Sequence, residues 1–347
     1  MDKAKELSES QVDGRPSLFF RSWKKVLGYA IGVLCLVWVF HDVRIKEIMN
    51  SLAIINWWLV AIAIFFDILS YVCQGLRWSL LLHPIGRISP FRATQAIYAG
   101  LFVNEILPLR PGEVLRIYLA SRWAPVRFAA VVPSILIERY FDAIWLALAF
   151  GITVLIVPLP KYLVDAEEIL GFTALAGTFF FIYLILRKKS TSADPSNRAK
   201  NYWRPVRWLL DLVDKMALGV RDIGRSRYVY SSFLVSFFLL LGQIASYWLV
   251  MQAYGLKLSF WHGAAIFLIV HIGTAIPGAP SNVGTYQFFT VVGLTLFGID
   301  KTLASGFSII VFFILTIPLW IIGLLVFGRL GISLKKVRTE IASLAKS

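Results

Sequence analysis

The chain is predicted to be an all-α polytopic membrane protein. About six spanning helices are interspersed with two broken regions, each either a re-entrant helical hairpin, which the half-length arms favour, or a pair of full crossings, and the arrangement suggests an inverted repeat. Three observations carry this. Hydrophobic residues make up 58% of the 347 and charged ones only 16%, where a soluble domain carries about 25% charged. Six apolar stretches reach the roughly 20 residues that a helix needs to cross a hydrocarbon core about 30 Å thick. Two further apolar regions are each interrupted at their centre by Pro and Gly, at "LPLRPGE" and at "IPGAPSNVGTYQ".

Residues 1–23 form a polar tail of mixed charge. The first crossing, 24–41, ends at "FHDVR" without a small-x-small cleavage site, so it reads as a retained helix rather than a removed leader. The second crossing is 57–82. The first broken region, 93–122, precedes a long crossing at 126–157. The acidic segment "PLPKYLVDAEE", 158–168, joins that crossing to the next at 168–187. A polar segment, 188–228, separates it from the crossing at 229–254. Within that segment, 201–222 has apolar residues at helical spacing, either on the membrane surface or packed against the inner end of the bundle. The second broken region is 260–298, the last crossing is 302–327, and 329–347 is a basic tail. Residues 24–328 are therefore one integral membrane domain.

Orientation follows from Lys and Arg, which mark cytoplasmic loops. The N-terminal tail, the 187–228 gap and the C-terminal tail are basic; the gap holds eleven Lys and Arg against four acids. The segment 158–168 is net acidic. Both termini are thus expected in the cytoplasm, in the plasma (inner) membrane. The parity of crossings closes only if 93–122 enters and leaves on the cytoplasmic side and 260–298 does so on the outer side. Short broken segments at membrane depth are tolerated only when buried in protein or lining a wet cavity. Paired ones are the plan of many transporters.

The formal charge of +15 does not point to nucleic acid, because the basic residues gather at the ends of apolar runs and no binding motif accompanies them. Cys35 and Cys73 lie in apolar runs, and His41, His83, His262 and His271 are scattered. Neither a disulfide framework nor a metal site is expected, and no cofactor.

Charges inside crossings need partners or water. The segment "NEILPLRPGEVLRIYLASR", 104–122, holds Glu105, Arg110, Glu113 and Arg116. On the helix through "IERYFDAIW", Glu138 and Asp142 share a face at i and i+4, with Arg139 beside them. Two like charges on one face call for a cation between them, and Arg110 and Arg116 are the expected ones. The planar fork of a guanidinium suits a lipid phosphate. A half-helix starting near Pro111–Gly112 would add free backbone N–H groups. The competing reading is a set of structural ion pairs that locks the hairpin to the helix. Arg77 is expected to snorkel to the cytoplasmic face. Asp67, mid-helix, is expected to face the bundle, as a partner of this cluster or with a lone hydrogen bond. In the second break Gly284, Ser281, Asn282 and Gln287 offer uncharged hydrogen bonds.

The segments "LPLRPGEVLRIYLASR", "ERYFDAIWLAL" and "IPGAPSNVGTYQFFTVVGLTLFG" resemble the signature segments of the lysylphosphatidylglycerol synthase transmembrane-region family, also called flippase-like or UPF0104 membrane proteins. The resemblance spans roughly 20–330. In the first segment the matching positions are Pro108, Arg110, Gly112, Glu113 and Arg116. In the second they are Glu138, Arg139 and Asp142, and in the third Pro277, Gly278 and Gly284. Glu113 stands where Asp is common, and Gln287 stands where many members have Glu, which argues against a proton role there.

The resemblance implies an inner-membrane protein acting on lipids. No aminoacyl-transferase domain follows the membrane region and no hydrolase or transferase motif is seen, so an enzyme is not expected. The leading expectation is a lipid translocase moving a phospholipid, glycolipid or polyprenyl-phosphate head group through a polar groove. Arg110 and Arg116 would hold phosphate, with Glu113, Glu138, Arg139 and Asp142 around them. Pro277, Gly278, Gly284 and Gln287 would form the outer side of the groove. The alternatives are an intramembrane lipid-modifying transferase and a non-catalytic partner of an envelope-lipid synthase or glycosyltransferase.

Overall fold

The structure, a computed structural model, describes residues 30–41, 44, 55–107, 111–126, 128–186, 218–275 and 279–331. The described residues form helices α1 (Ala30–Phe40), α2 (Trp57–Leu82), α3 (Pro90–Ile106), α4 (Gly112–Trp123), α5 (Phe128–Ile156) and α6 (Lys161–Leu186). These are followed by α7 (218–224), α8 (Tyr228–Ala253), α9 (Phe260–Gly273), α10 (Thr285–Thr295) and α11 (Lys301–Arg329). A short 3₁₀ turn, Pro280–Asn282, lies between α9 and α10. No strand occurs among the described residues. Helices α2, α5, α6, α8 and α11 are long and apolar enough to span a bilayer. The described part of the first expected crossing is α1, and residues 24–29 lie outside the described residues.

Local sequence sets where the helices begin. Asn56 accepts the N–H groups of Trp58 and Leu59 at 3.1 and 3.4 Å. Ser89 accepts from Arg92 just ahead of Pro90, and Ser259 accepts from His262. Asp300 accepts from Thr302 and Leu303. Each is a short polar side chain occupying donors that the first turn leaves unpaired, and Pro90 needs no donor in that place.

Two expectations change. The crossing read at 168–187 begins at Lys161, so Asp165, Glu167 and Glu168 belong to the helix and not to an outer loop. Pro158 and Pro160 end the preceding helix, and the Lys, Ala and Glu that follow are good helix formers. Of the amphipathic stretch 201–222, residues 201–217 lie outside the described residues. The remainder is in α7, whose Val220 and Ile223 are buried with Leu81, Ile137 and Phe141. This end packs on the bundle.

The spine of the fold is the pair α2 and α8. Ser246 donates to the carbonyl of Ala63 at 2.8 Å, Gly242 lies against Ser70 and Phe66, and Ser236 reaches Arg77. Numbers rise along one helix as they fall along the other, so the two are antiparallel. The hairpin α3–α4 packs on the C-terminal end of α2, where Trp78 and Leu82 share a core with Ala96, Ala99, Leu115 and Leu119. The pair α9–α10 packs on the opposite end, where Val60 and Ala63 meet Ile266, Val270, Val291 and Leu294. At 1.5 Å per residue the four arms measure about 25, 18, 21 and 16 Å, short of the roughly 30 Å that a crossing needs. The two broken regions are therefore short hairpins seated at opposite ends of one long helix.

Candidate functional site

Glu138, ten residues into α5, is fully buried. A lone carboxylate there would be untenable in hydrocarbon, and three side chains meet it. Arg116 of α4 donates through Nη1 and Nη2 to its two oxygens at 3.3 and 2.7 Å. Arg77 of α2 places Nη2 2.9 Å from Oε1, and Gln74 donates to the same oxygen at 3.2 Å.

Arg77 is the cation between the two acids of α5. It pairs with Asp142 through Nη1, places Nη2 3.4 Å from Asp142 Oδ2 and donates to Ser236 Oγ of α8 at 3.2 Å. The snorkelling expected of it does not occur: its side chain is 0% exposed. The reason is electrostatic. Glu138 and Asp142, one turn apart, present two negative charges that a guanidinium spans with both terminal nitrogens, and no lipid-facing position offers that.

Arg116 is held from below by Trp78, its guanidinium 4.6 Å from the ring centroid. The indole is fixed in turn by Ser134 Oγ, which accepts from Nε1 at 3.1 Å. The hairpin delivers Arg116 through a close approach of backbone. A Cβ on Gly112 would fall on the carbonyl of Gly100, and one on Gly100 would crowd the Arg116 side chain. Helix α4 begins at Gly112 as expected, but its first N–H is not free. Asn104 Oδ1 accepts it at 2.7 Å, so this donor is not on offer to a phosphate.

A second layer lies outward. Arg139 pairs with Glu113 of α4, and its Nη1 is 3.6 Å from Asp142 Oδ2. Here the side chains are open, 53% for Arg139, 35% for Glu113 and 29% for Asp142. Three arginines and three acids thus run from the buried interior to an open rim, with no net charge.

Of the residues expected in the site, Glu113, Arg116, Glu138, Arg139 and Asp142 come together. Arg110, Pro277 and Gly278 lie outside the described residues. Gly284 and Gln287 sit apart, at the start of α10. Gln287 Oε1 accepts the Gly284 N–H at 2.7 Å, which caps that helix. Gly284 has φ +92° and lies so close to Gly32 of α1 that a Cβ would overlap its carbonyl. Just before it, Ser281 and Asn282 hold φ of 55° and 52°, a strained left-handed pair of the kind found at functional sites. Ser281 Oγ donates to the carbonyl of Glu105 at 3.0 Å. That bond joins the second break to the tip of the first hairpin.

Gln74, Arg77, Trp78 and Ser236 were not anticipated in the cluster. A signal existed for three of them: Gln74, Arg77 and Trp78 are spaced to share one side of α2, and one of the three is charged in an otherwise apolar helix.

The family model described as the lysylphosphatidylglycerol synthase TM region matches residues 25–323. Two relatives are UPF0104 membrane proteins. One, from Methanothermobacter thermautotrophicus, is 22% identical over 305 residues, covering 83% of this chain and 88% of its own. The other, from Methanocaldococcus jannaschii, is 21% identical over 324 residues, covering 88% and 94%. No solved structure matches.

Proposed function

Because the chain belongs to the lysylphosphatidylglycerol synthase transmembrane-region family, we propose that it is a lipid translocase. It carries a phosphate-bearing head group, of a phospholipid, glycolipid or polyprenyl phosphate, along a polar groove while the acyl or prenyl tails stay in lipid. It is a multi-pass protein, and this reading sets it in the plasma (inner) membrane with both termini cytoplasmic. A lipid synthase or glycosyltransferase that makes the substrate is the partner this reading expects.

The observation that carries the proposal is the graded ion cluster. Arg116 and Glu138 are buried, and both terminal nitrogens of Arg116 are engaged. Arg139 is half open and held by a half-open Glu113. An exposed ion pair is worth only about 0.2–1 kcal/mol, so a phosphate can displace Glu113 from Arg139 at little cost. The buried pairs cannot open in that way without stranding a charge. Arg139 therefore receives the head group, Glu113 and Asp142 are the acids it exchanges against, and Arg77, Arg116 and Glu138 hold the rim in place. Arg110, between α3 and α4 in the sequence, is the second guanidinium of this reading.

The test is reconstitution with a fluorescent phospholipid and quenching of the outer leaflet. Wild-type protein is expected to expose the inner-leaflet label. Arg139→Gln is expected to slow this by roughly tenfold or more, the loss of one charge-assisted hydrogen bond of about 1.5–3 kcal/mol. Equal rates for the two proteins would remove Arg139 from the path.

A further inference from the structure

Asp67 takes no part in the cluster just described. It lies ten residues from the first residue of α2, about 15 Å along the axis, and is 5% exposed. Its Oδ2 is enclosed and accepts no hydrogen bond. Among the described residues no Lys, Arg or His forms an ion pair with it. The nearest arginine on its own helix, Arg77, is committed to Glu138 and Asp142.

What surrounds Asp67 is phenolic. Tyr71 is one turn further along α2, Tyr98 comes from α3 and Tyr286 from α10, and all three feel the Asp67 charge. The rings of Tyr71 and Tyr98 are 5.6 Å apart. Glu105, at the tip of the first hairpin, acts on Tyr71, and Tyr247 of α8 acts on Tyr286. From α11 the contact is Phe312 against Tyr286. Tyr98 is 4% exposed and its hydroxyl, like Asp67 Oδ2, is buried without a partner. Two helices thus each bring an unsatisfied oxygen to one region.

An ionised carboxylate with an enclosed, unpaired oxygen is among the most costly groups a membrane protein can hold. A carboxylic acid is not: it gains an O–H donor, and an unpartnered phenol oxygen is an acceptor for it, directly or through one water. We infer that Asp67 is a proton-binding site inside the bundle, set between the two broken hairpins through Tyr98 of the first and Tyr286 of the second.

This deepens the translocation reading, on which only its role rests. Among the described residues Arg77, Arg116 and Arg139 are already matched by Glu113, Glu138 and Asp142, so an arriving phosphate adds negative charge to a cluster that carries no net charge. A proton carried on Asp67 supplies the balancing charge, and its arrival or loss changes the contact between the hairpins. The ligand class is therefore a proton that moves with an anionic head group.

The test is infrared difference spectroscopy of the full chain in lipid nanodiscs, titrated across pH in potassium and in sodium buffers. The expected result is a protonated-carboxyl C=O band at neutral pH that downshifts in D₂O. It is lost in Asp67→Asn and moved in frequency by Tyr98→Phe. Absence of such a band in the wild-type protein, or a band untouched by both variants, overturns the inference. So does sodium-dependent thermal stabilisation abolished by Asp67→Asn, which would assign the site to a metal cation. Should Asp67→Asn fail to fold, the wild-type band and its response to Tyr98→Phe still decide. The spectrum needs no lipid substrate, so a positive band beside an inactive translocation assay would keep the proton site and discard the coupling.

Discussion

Arg116 of α4 closes both terminal nitrogens on the two carboxylate oxygens of Glu138 in α5, at 3.3 and 2.7 Å. Arg77 of α2 meets the same carboxylate at 2.9 Å. One buried acid thereby ties the first hairpin, the spine helix and a long crossing together. Removing any member strands a charge, and that asymmetry makes the arrangement testable.

Arg77→Ala leaves Glu138 with one guanidinium fewer and Asp142 without its buried partner. Breaking a buried pair in this way is expected to cost about 3–5 kcal/mol. Unfolding in mixed detergent micelles measures it. The double variant Arg116→Ala/Glu138→Ala is expected to lose less than the sum of its singles, with a coupling of about 0.5–3 kcal/mol.

Arg139→Gln and Glu113→Gln break a half-exposed pair. Their stability is expected to stay within about 1 kcal/mol of wild type, while lipid translocation falls. Loss of stability without loss of translocation would assign the pair to the scaffold.

Gly112→Ala sets a methyl group onto the carbonyl of Gly100, where rigid backbone cannot yield. Overpacking of this kind is expected to destabilise by about 1–3 kcal/mol and to displace Arg116. Gly328→Ala, which meets nothing within 4 Å, is the control and is expected to leave stability within about 0.5 kcal/mol of wild type. Thermal stability in detergent checks both.

Ser281→Ala removes a bond from the second break to the carbonyl of Glu105. A loss of about 1 kcal/mol is expected. Hydrogen exchange at residues 279–284 and near 105 is expected to rise together, because this bond then no longer holds the two tips.

Sidedness is open to a labelling experiment. A cysteine at Leu159 is expected to react with an impermeant reagent from outside intact cells. One at Arg329 is expected to react only after permeabilisation.

The crossings were legible because length and apolarity settle a spanning helix locally: 57–82 is helix α2, residue for residue, and 229–254 is displaced by one residue at each end. The breaks were legible for the same reason, since Pro and Gly interrupt a helix wherever it lies. Residues that share one helix face, Glu138 and Asp142, announced the need for a cation by spacing alone. What spacing could not give was the identity of that cation. Arg77 is some sixty residues away and looked like a chain-end charge reaching for water, and only the packing of α2 against α5 turns it inward. Helix α6 starts at Lys161 and not at 168, because Asp165, Glu167 and Glu168 signal a loop by their charge while Glu and Ala also favour helix.

The amino-acid sequence by itself determined a helical membrane protein with two interrupted hairpins, since hydrophobic length and backbone breaks act within one segment. Only the tertiary structure decided that Arg77 and Arg116 converge on Glu138, that Ser281 joins the hairpin tips and that Asp67 Oδ2 is enclosed without a hydrogen-bond partner among the described residues. Charge pairing in hydrocarbon is set by which helices touch, and that is decided by packing across the whole bundle.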